Sequence, residues 1–180
     1  MRKNIIYSLL LVVAALFAGC DSRLDIEKHG NMGDQNDFYQ TDEQIEQAVA
    51  SMYSNLKGLY YNWFFTKNLL SDDVWCGGGQ RGDNTSLEQL NEYTYGTDNG
   101  MIQGVFSGLY GLIYQCNLVI EKVADDTPVK KRAIAEAKFF RAWANFELVT
   151  LWGTAPLVDH LLEPGEYRQG NSTPEALWAA

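Results

Sequence analysis

The sequence predicts an all-α domain made of antiparallel helical hairpins, interrupted by a long glycine-rich loop. Three long segments repeat apolar residues at steps of three and four, the spacing that places side chains on one face of a helix. Helix-capping signals stand before two of these segments, at Thr41 and Thr127. Only residues 125–127 separate the second segment from the third. A link this short makes the two helices antiparallel.

The first predicted helix begins after Thr41. Thr41 and Gln44 fit the capping box, in which the threonine oxygen accepts a hydrogen bond from the Gln44 backbone N–H and the glutamine side chain reaches back. Apolar residues between positions 63 and 70 extend the helix until Ser71. The side chains predicted to share its buried face are Ile45, Val49, Met52, Tyr53, Leu56 and Tyr60.

The stretch from Asp72 to Gly100 is predicted to be mostly loop, because glycines and polar residues replace the helical pattern. A short apolar pattern surrounds Leu87 and Leu90. A loop of this length in a compact domain is usually functional or disordered. Trp75 and two nearby tyrosines argue against plain disorder.

The second and third helices form the predicted hairpin. Thr127 is the predicted N-cap of the third helix, which ends near Gly153, and Pro128 occupies its first position. Small alanines at the crossing make this hairpin similar to a tetratricopeptide unit, although no 34-residue period runs through the chain. The predicted stripes are Ile102, Val105, Phe106, Leu109, Ile113, Cys116, Ile120 and Val123 on one helix, and Ala133, Ile134, Ala137, Phe140, Ala144, Leu148 and Leu151 on the other.

Beyond the hairpin the chain is predicted to be irregular up to a last helix. Pro156 and Pro164 interrupt regular structure, and Thr173 opens the last helix as its N-cap. Leu177 and Trp178 are not expected to be buried by so short a helix. This favours the interpretation that the chain is the N-terminal part of a longer protein.

Residues 1–19 have the pattern of a lipoprotein signal peptide. Two basic residues precede an apolar run that is too short to span a bilayer, which needs about 20 residues of helix. The run leads through small residues into Cys20, as in a lipobox, although Phe17 stands where leucine is usual. The alternative is an ordinary signal peptide cleaved near Ala18, with Cys20 incidental.

The mature chain is predicted to begin at lipidated Cys20 and to have two parts. Residues 20–37 are polar, acidic and without period, which predicts a tether. Residues 38–180 form the folded domain. Several acyl chains, each burying many methylene groups at about 0.8 kcal/mol apiece, give stable anchoring where a single chain is marginal.

The acidic composition argues against nucleic acid as a partner. The chain has 14 Lys and Arg against 23 Asp and Glu, a formal net charge of −9. Phosphate backbones require clustered basic residues, and attraction to anionic lipid requires a polybasic patch. The lipid is therefore expected to provide the membrane attachment by itself.

Residues that could carry catalysis or hold a metal are scattered. Cys76 and Cys116 lack metal-site spacing, and a disulfide between them stays open, because sequence separation does not give the Cα distance. Cys116 is most simply a small buried hydrophobe.

Two carboxylate pairs, at residues 72–73 and 125–126, could serve as glycosidase acid and base. At helix ends, however, such acids are more commonly solvated or act as helix caps. The prediction is a protein without metal, cofactor or catalytic site.

Three segments carry a recognisable set of motifs. Residues 135–142 read AEAKFFRA, residues 148–158 read LVTLWGTAPLV, and residues 109–121 read LYGLIYQCNLVIE. They resemble the SusD/RagB family of surface glycan-binding lipoproteins, whose members show the forms A-E-A-x-F-x-R-A, L-x-G-x-x-P-L-V and Y-x-x-I-x-x-x-N-x-x-I-E. Together with the lipidated start, the resemblance spans most of residues 20–180.

The resemblance implies the N-terminal part of a larger SusD-like fold. Its tetratricopeptide-like scaffold would dock on a SusC-like TonB-dependent transporter, capture oligosaccharides and hand them on without breaking a bond. It also implies a lipid-anchored place in the cell outer membrane, facing the exterior. Three alternatives stay open: the same scaffold binding peptides, a lipidated surface enzyme such as a glycoside hydrolase, and a structural adaptor that binds only the transporter.

The predicted ligand site lies in the loop after the first helix. Sugars present a flat apolar face and hydroxyl groups, so a protein needs an aromatic platform with amide, carboxylate or guanidinium groups beside it. The loop supplies these types in Trp75, Arg81, Asp83 and Asn84. The alternative is that Trp75 packs under the glycines and anchors the loop.

Polar residues inside the hairpin are predicted to hold it together. Asn117, Glu136 and Arg141 stand on otherwise apolar helices. We expect them to form hydrogen bonds and ion pairs between helices rather than ligand contacts. Trp143 and Trp152 are expected in the core.

Overall fold

The structure is a computed structural model that describes residues 38–180. Its elements are α1 (Asp42–Leu69), α2 (Thr85–Asn91), α3 (Gly100–Lys122), α4 (Pro128–Trp152), a 3₁₀ turn (Pro164–Glu166) and α5 (Pro174–Ala179). The all-α fold class is confirmed, since every regular element in the described range is a helix. The predicted signal peptide, the lipidation of Cys20 and the tether to residue 37 lie outside the described residues.

Helices α1, α3 and α4 pack together and form the body of the domain, and α3 contacts both of the others extensively. Gly108 on α3 allows a close approach to α1, because a Cβ atom there would lie 2.8 Å from Leu59 Cδ1. Gly104, one turn earlier, faces Asn62 of α1 in the same way. Small residues on α3 therefore set its distance from α1.

The core is the apolar space between these three helices. The predicted stripes of α3 and α4 are confirmed, since each of their members is buried or half-buried. Leu112 and Val119 add a second buried edge to α3, because this helix packs against two neighbours. The buried core side chains include Ile45, Ala48, Met52, Leu59, Val105, Leu109, Leu112, Ile113, Cys116, Val119, Ala133, Ala137, Phe140, Ala144 and Leu148.

The predicted buried face of α1 is wrong at two positions. Tyr53 and Tyr60 are 51% and 56% exposed, while Leu59 and Ala48 are buried. The Tyr53 ring lies on the flank of the helix and packs edge-on against Phe140, with 4.9 Å between the ring centroids. A tyrosine can cover apolar surface from its rim while its hydroxyl stays in water. The three- and four-residue spacing of a tyrosine on a helix therefore does not by itself show that the tyrosine lies on the buried face.

The helix starts follow the predicted capping residues. Thr41 Oγ1 accepts a hydrogen bond from Gln44 N at 3.3 Å, and Gln44 Oε1 accepts one from Thr41 N at 3.1 Å, which completes the capping box. Thr127 Oγ1 accepts from Lys130 N at 3.2 Å and donates to Asp42 Oδ1 at 2.7 Å. The second bond ties the start of α4 to the start of α1.

Arg141 and Asn117 bind each other and the segment that follows α4. Arg141 Nη1 donates to Asn117 Oδ1 at 2.9 Å and to the Asp159 carbonyl oxygen at 2.6 Å. Asn117 Nδ2 donates to the carbonyl oxygens of Val158 at 3.3 Å and His160 at 2.9 Å. The predicted contact between helices is confirmed, and the same two motif residues hold the following segment against the hairpin.

Glu136 also connects two helices, as predicted. It pairs with Arg132 of the same helix at 3.4 Å and reaches the Tyr53 hydroxyl of α1. The negative charge of Glu136 is the main cause of a raised pKa at Tyr53. Trp143 and Trp152, which were predicted to lie in the core, are half-buried at its edge.

The chain after α4 is short of regular structure but packs onto the hairpin. Gly153 ends α4 with a φ of 73°, a conformation that glycine adopts without strain. Ala155 and Ser172 then form an isolated antiparallel bridge. Leu177 of α5 is only 3% exposed within the core, so the expectation that it would stay unburied is wrong, whereas Trp178 is 60% exposed.

Cys76 and Cys116 are both free thiols, so the disulfide that the sequence left open does not form. Cys116 is buried, with its Sγ 3.8 Å from Met52 Sδ. Burial raises the pKa of the Cys116 thiol to about 12. Cys116 is therefore the small buried hydrophobe that its position in the α3 stripe predicted.

Candidate functional site

The loop between α1 and α3, residues 71–98, is braced by side chains that bind its backbone. Asn91 Oδ1 accepts from Cys76 N at 3.0 Å, and Asn91 Nδ2 donates to the Val74 carbonyl oxygen at 3.3 Å. The Tyr93 hydroxyl donates to the Leu70 carbonyl oxygen at 3.0 Å. Helix α2 adds 7 residues of helix to a segment predicted to be mostly loop.

Trp75 stands between the two backbone groups that Asn91 binds. Its side chain is 80% exposed, so it does not pack under the neighbouring glycines as a loop anchor would. Covering such a ring is favourable by roughly 25 cal/mol per Å² of apolar surface removed from water. A fixed backbone and an exposed ring are what a stacking platform requires.

Arg81 is the charged donor of this loop. It forms a two-point ion pair with Glu92, with Nη1 2.6 Å from Oε1 and Nη2 2.8 Å from Oε2. The hydrogen bond to Glu92 is the main cause of a raised pKa at Arg81. The Arg81 side chain is nevertheless 77% exposed. The guanidinium group is therefore held in place and still reachable from solvent.

Asp83 and Asn84 shape the loop. Asp83 Oδ2 accepts from Gln80 N at 2.9 Å, and a Cβ atom on Gly78 would lie 3.1 Å from the same oxygen. Asn84 is the N-cap of α2 and accepts from Leu87 N at 3.3 Å. The structure thus gives both residues a conformational role, and it places them on the same loop as the exposed tryptophan and arginine.

Two adjoining cavities lie at the base of this loop, and together we call them the base groove. Their volumes are about 340 Å³ and about 770 Å³. Thr97, Ile102 and Trp152 line both cavities, so the two lie side by side. The other lining residues are Thr66, Leu70, Tyr95, Gly96, Gly100, Gln103, Gly104, Phe106, Ser107 and Leu151.

The base groove was missed by sequence reasoning because distant elements form it. The end of α1, the start of α3 and the end of α4 each supply one wall. The available signal was Trp152, which stands before Gly153 at the end of α4. A large ring at a helix end has neighbours on one side only and remains partly open to water.

None of the described residues that line the base groove is charged. Glu147, one turn before Leu151, is buried and accepts from Trp63 Nε1 at 2.8 Å and from Lys67 Nζ at 3.0 Å. Glu147 and Lys67 therefore pair with each other, whereas the Asp98 carboxylate lies beside Gly96 of the groove lining, 2.7 Å from where a Cβ atom on that glycine would be. Thr66 is 2% exposed, and its Oγ1 has no hydrogen-bond partner within residues 38–180.

A third cavity, of about 480 Å³, lies between α3 and the segment after α4. His160 forms part of its wall, with Nδ1 2.8 Å from Asp159 Oδ1 and Nε2 3.2 Å from Glu166 Oε2. The hydrogen bond to Asp159, followed by the one to Glu166, raises the pKa of His160. The same bond to His160 lowers the pKa of Asp159. The imidazole thus bridges two carboxylates on the protein surface.

The buried ionisable groups of the described domain have structural partners. Lys130 lies 2.9 Å from Asp126 Oδ1, and Glu147 lies 3.0 Å from Lys67 Nζ. Within residues 38–180, no group of three or more His, Cys, Asp or Glu side chains is placed to hold a metal ion. Across the same part of the chain, no helix combines the length and apolar character needed to cross a membrane.

The sequence has relatives among known proteins. A SusD-like family, described as "Starch-binding associating with outer membrane", matches residues 24–174. The chain is 32% identical over 166 residues to a SusD-like protein of Bacteroides ovatus, covering 84% of this chain and 29% of that protein. It is 27% identical over 156 residues to SusD-like protein P38 of Formosa agariphila, covering 86% of this chain and 30% of that protein. The chain thus spans less than a third of the length of these relatives.

Solved structures share the fold. A laminarin-binding SusD-like protein matches with a TM-score of 0.70 and 26% identity, over 78% of this chain and 32% of that one. A SusD superfamily protein from Bacteroides vulgatus matches with a TM-score of 0.68 and 23% identity, over 79% and 32% of the two chains. Surface glycan-binding protein A from Bacteroides uniformis gives a TM-score of 0.65 and 22% identity, over 77% and 32%. Because the family match covers most of the sequence and one relative exceeds 30% identity, the chain belongs to the SusD/RagB family.

Proposed function

We propose that this protein is a lipid-anchored surface protein that captures oligosaccharides without cleaving them and delivers them to a SusC-like TonB-dependent transporter in the outer membrane. The observation that carries the proposal is Trp75, an exposed indole on a loop whose backbone is fixed on either side of it. The names of similar structures agree with this ligand class, since one is laminarin-binding and another is a surface glycan-binding protein.

Capture would use the loop as a preformed surface. The apolar face of a sugar ring packs on the Trp75 indole, and an aromatic anchor of this kind is commonly worth 2 kcal/mol or more, by the rough measure of truncation experiments. Arg81 binds Glu92 through two nitrogen atoms, which leaves further N–H donors for sugar hydroxyls. The side-chain bonds that hold the loop reduce the ordering that binding would otherwise require.

Binding without turnover is the second part of the proposal. A glycosidase needs two carboxyl groups on either side of the scissile bond, one of them able to donate a proton. Asp83 accepts from Gln80 N at 2.9 Å, and Glu92 is held by Arg81 at 2.6 Å. Asp83 and Glu92 are therefore occupied as hydrogen-bond acceptors, which supports a structural role for these two acids.

Membrane attachment is proposed to depend on lipidated Cys20, with the residues up to 37 as its tether. We expect Cys20→Ser to move the protein from the membrane to the soluble fraction without changing its thermal midpoint. The reason is that the signal peptide is removed and the acyl chains supply the apolar anchor. Retention of the variant in membranes after a high-salt wash would contradict the proposal.

The ligand class is tested by incubating the full-length protein with a panel of oligosaccharides. Calorimetry measures binding, and chromatography of the same samples detects products. We expect binding heat for at least one glycan and no shorter products. New products would indicate a surface glycoside hydrolase, and binding of peptides but no glycans would favour the peptide-binding alternative. If the protein co-purifies with the transporter but binds neither glycans nor peptides, the structural-adaptor alternative would be favoured.

A further inference from the structure

The base groove has the features of a site for an uncharged sugar ring. We propose that it receives a neutral pyranose unit of the captured oligosaccharide and disfavours sugars that carry a carboxylate or sulfate group. This inference rests on the proposed function. It adds a second surface that contacts the ligand, besides the Trp75 loop. It also adds a preference for uncharged ligands.

The size and the aromatic lining of the groove suit a small cyclic ligand. Its two volumes, about 340 Å³ and about 770 Å³, fall in the range of small-ligand sites. Trp152 and Phe106 meet edge-on with 5.2 Å between ring centroids, so each fixes the orientation of the other. Tyr95 lines the same space from the end of the loop. The apolar face of a sugar ring can pack on such surfaces.

Neutral polar groups in the groove match sugar hydroxyls. Thr97, Gln103 and Ser107 supply hydroxyl and amide groups to its larger part. Gln103 Nε2 is engaged with the Thr97 carbonyl oxygen at 3.1 Å, which leaves the Gln103 amide oxygen as an acceptor. A hydroxyl-rich ligand can use these groups of the larger part.

None of the residues that line the groove is charged, although 21% of the residues in the chain are. An uncharged lining lets the groove discriminate between neutral and acidic sugars. A carboxylate or sulfate group that entered would lose its hydration without gaining a counter-charge. Lys67, next to Thr66, is engaged with Glu147 at 3.0 Å, and Arg81 on the loop is engaged with Glu92 at 2.6 Å. The net charge of −9 adds a repulsion between the protein and acidic ligands.

The loop that carries Trp75 has both of its ends in the groove. Leu70 precedes the loop, Thr97 stands at its far end, and both line the groove. The Tyr93 hydroxyl binds the Leu70 carbonyl oxygen at 3.0 Å and holds the two ends of the loop together. One braced loop therefore carries Trp75 and contributes to the groove, and the proposal requires that the affinity for an oligosaccharide depend on both places.

The first test blocks the groove. Ser107→Trp places a large side chain in its larger part, and Ser54→Trp is the matched control, because Ser54 is exposed on α1 and lines neither cavity. We expect Ser107→Trp to weaken binding of a neutral glucan oligosaccharide by at least about tenfold. Ser54→Trp should bind as the unaltered protein does. Equal affinity of both variants, at unchanged thermal midpoints, would overturn the groove as a binding site.

The second test changes the charge of the groove and does not depend on a bulky substitution. The unaltered full-length protein should bind the neutral oligosaccharide at least about tenfold more tightly than a uronic acid oligosaccharide of the same length. Ser107→Lys should raise the affinity for the uronic acid ligand severalfold, and added salt should remove that gain. Equal affinity of the unaltered protein for both ligands, or an unchanged uronic acid affinity in Ser107→Lys, would contradict selection by charge.

The two proposals fail in different ways. If the unaltered protein binds none of these oligosaccharides, both the proposal of glycan capture and the proposal of a groove site are wrong. If it binds them, loses affinity in Trp75→Ala and is indifferent to both changes at Ser107, capture by the loop stands and the groove proposal alone is wrong.

Discussion

The hairpin of α3 and α4 and the loop between α1 and α3 are stabilised in different ways. The hairpin buries long apolar stripes, and its motif residues Asn117 and Arg141 use their polar groups inside the protein. The loop has few buried side chains and is held by bonds from Asn91 and Tyr93 to its backbone. It leaves Trp75 80% exposed.

This difference separates the scaffold from the proposed site. The motifs that indicate the family describe how the hairpin packs, and they do not include the loop. A loop held by local hydrogen bonds can change its exposed side chains without disturbing the core beneath it. Relatives with the same hairpin are therefore expected to differ in ligand through this loop.

The largest expected effect comes from the hairpin core. Ile113→Ala and Phe140→Ala should each lower the free energy of unfolding by about 2–5 kcal/mol, because each leaves a cavity among buried side chains. Phe139→Ala is the matched control, since this neighbouring ring is exposed and should change stability by less than about 0.5 kcal/mol. Denaturant unfolding of the full-length variants measures all three. Costs near zero for both buried residues would mean that the wrong face has been assigned to the core.

Trp75→Ala should affect binding and not stability. Loss of the stacking platform should lower glycan affinity by roughly tenfold to a hundredfold. The thermal midpoint should stay unchanged, because the exposed ring has little to lose on truncation. Phe139→Ala, which removes an exposed ring from α4, should leave affinity unaltered. Normal affinity in Trp75→Ala, or a loss that parallels a lower thermal midpoint, would show that this residue does not contact sugar.

Glu147 tests whether the hairpin depends on a buried polar contact with α1. Glu147→Leu removes the acceptor of the Trp63 and Lys67 hydrogen bonds and should cost about 1–3 kcal/mol. Lys67→Met should also be destabilising, because it leaves the Glu147 carboxylate, whose side chain is only 3% exposed, without its cation. Chemical denaturation of the single variants and of the double variant measures the coupling. Additive costs would indicate that the two side chains do not interact.

Arg81→Ala should have a small effect on stability. An exposed ion pair such as that with Glu92 contributes little to stability, because water and salt screen it. The same variant should weaken glycan binding less than Trp75→Ala does, because a charged donor at a wet rim adds less than a stacking platform. Glu92→Gln separates the two roles, since it removes the partner and keeps the guanidinium group. A large drop in thermal midpoint in both variants would mean that the ion pair holds the loop.

His160 should give the smallest effect, a pH dependence confined to the segment after α4. Its raised pKa means that the stabilising contribution of the bridge is complete below the ordinary value of 6.5 and is lost as pH rises through the higher folded-state pKa. Asp159 has a lowered pKa, so its contribution is complete above 3.8 and is lost as pH falls through the lower value. NMR titration should place the His160 pKa above 6.5 and show it falling in Asp159→Asn. An unchanged titration in that variant would contradict the bridge.

The sequence alone was sufficient for the three long helices, the N-caps of α1, α4 and α5, and the hairpin. Thr41, Gln44, Thr127 and Thr173 act within four residues of their own position, and apolar periodicity within one helix is equally local. The motifs also led to the family, because they mark positions such as Arg141 whose partners the fold requires. The lipidation of Cys20 remains a prediction from its sequence context.

Only the tertiary structure decided which flank of α1 is buried, that Leu177 enters the core, and that Arg81, Asp83 and Asn84 have partners within the loop. It also revealed the base groove, which forms because the ends of α1 and α4 lie beside the start of α3. These features depend on neighbours distant along the chain. Burial follows from which surfaces meet, and a cavity is the space that remains where side chains from separate helices do not fill it.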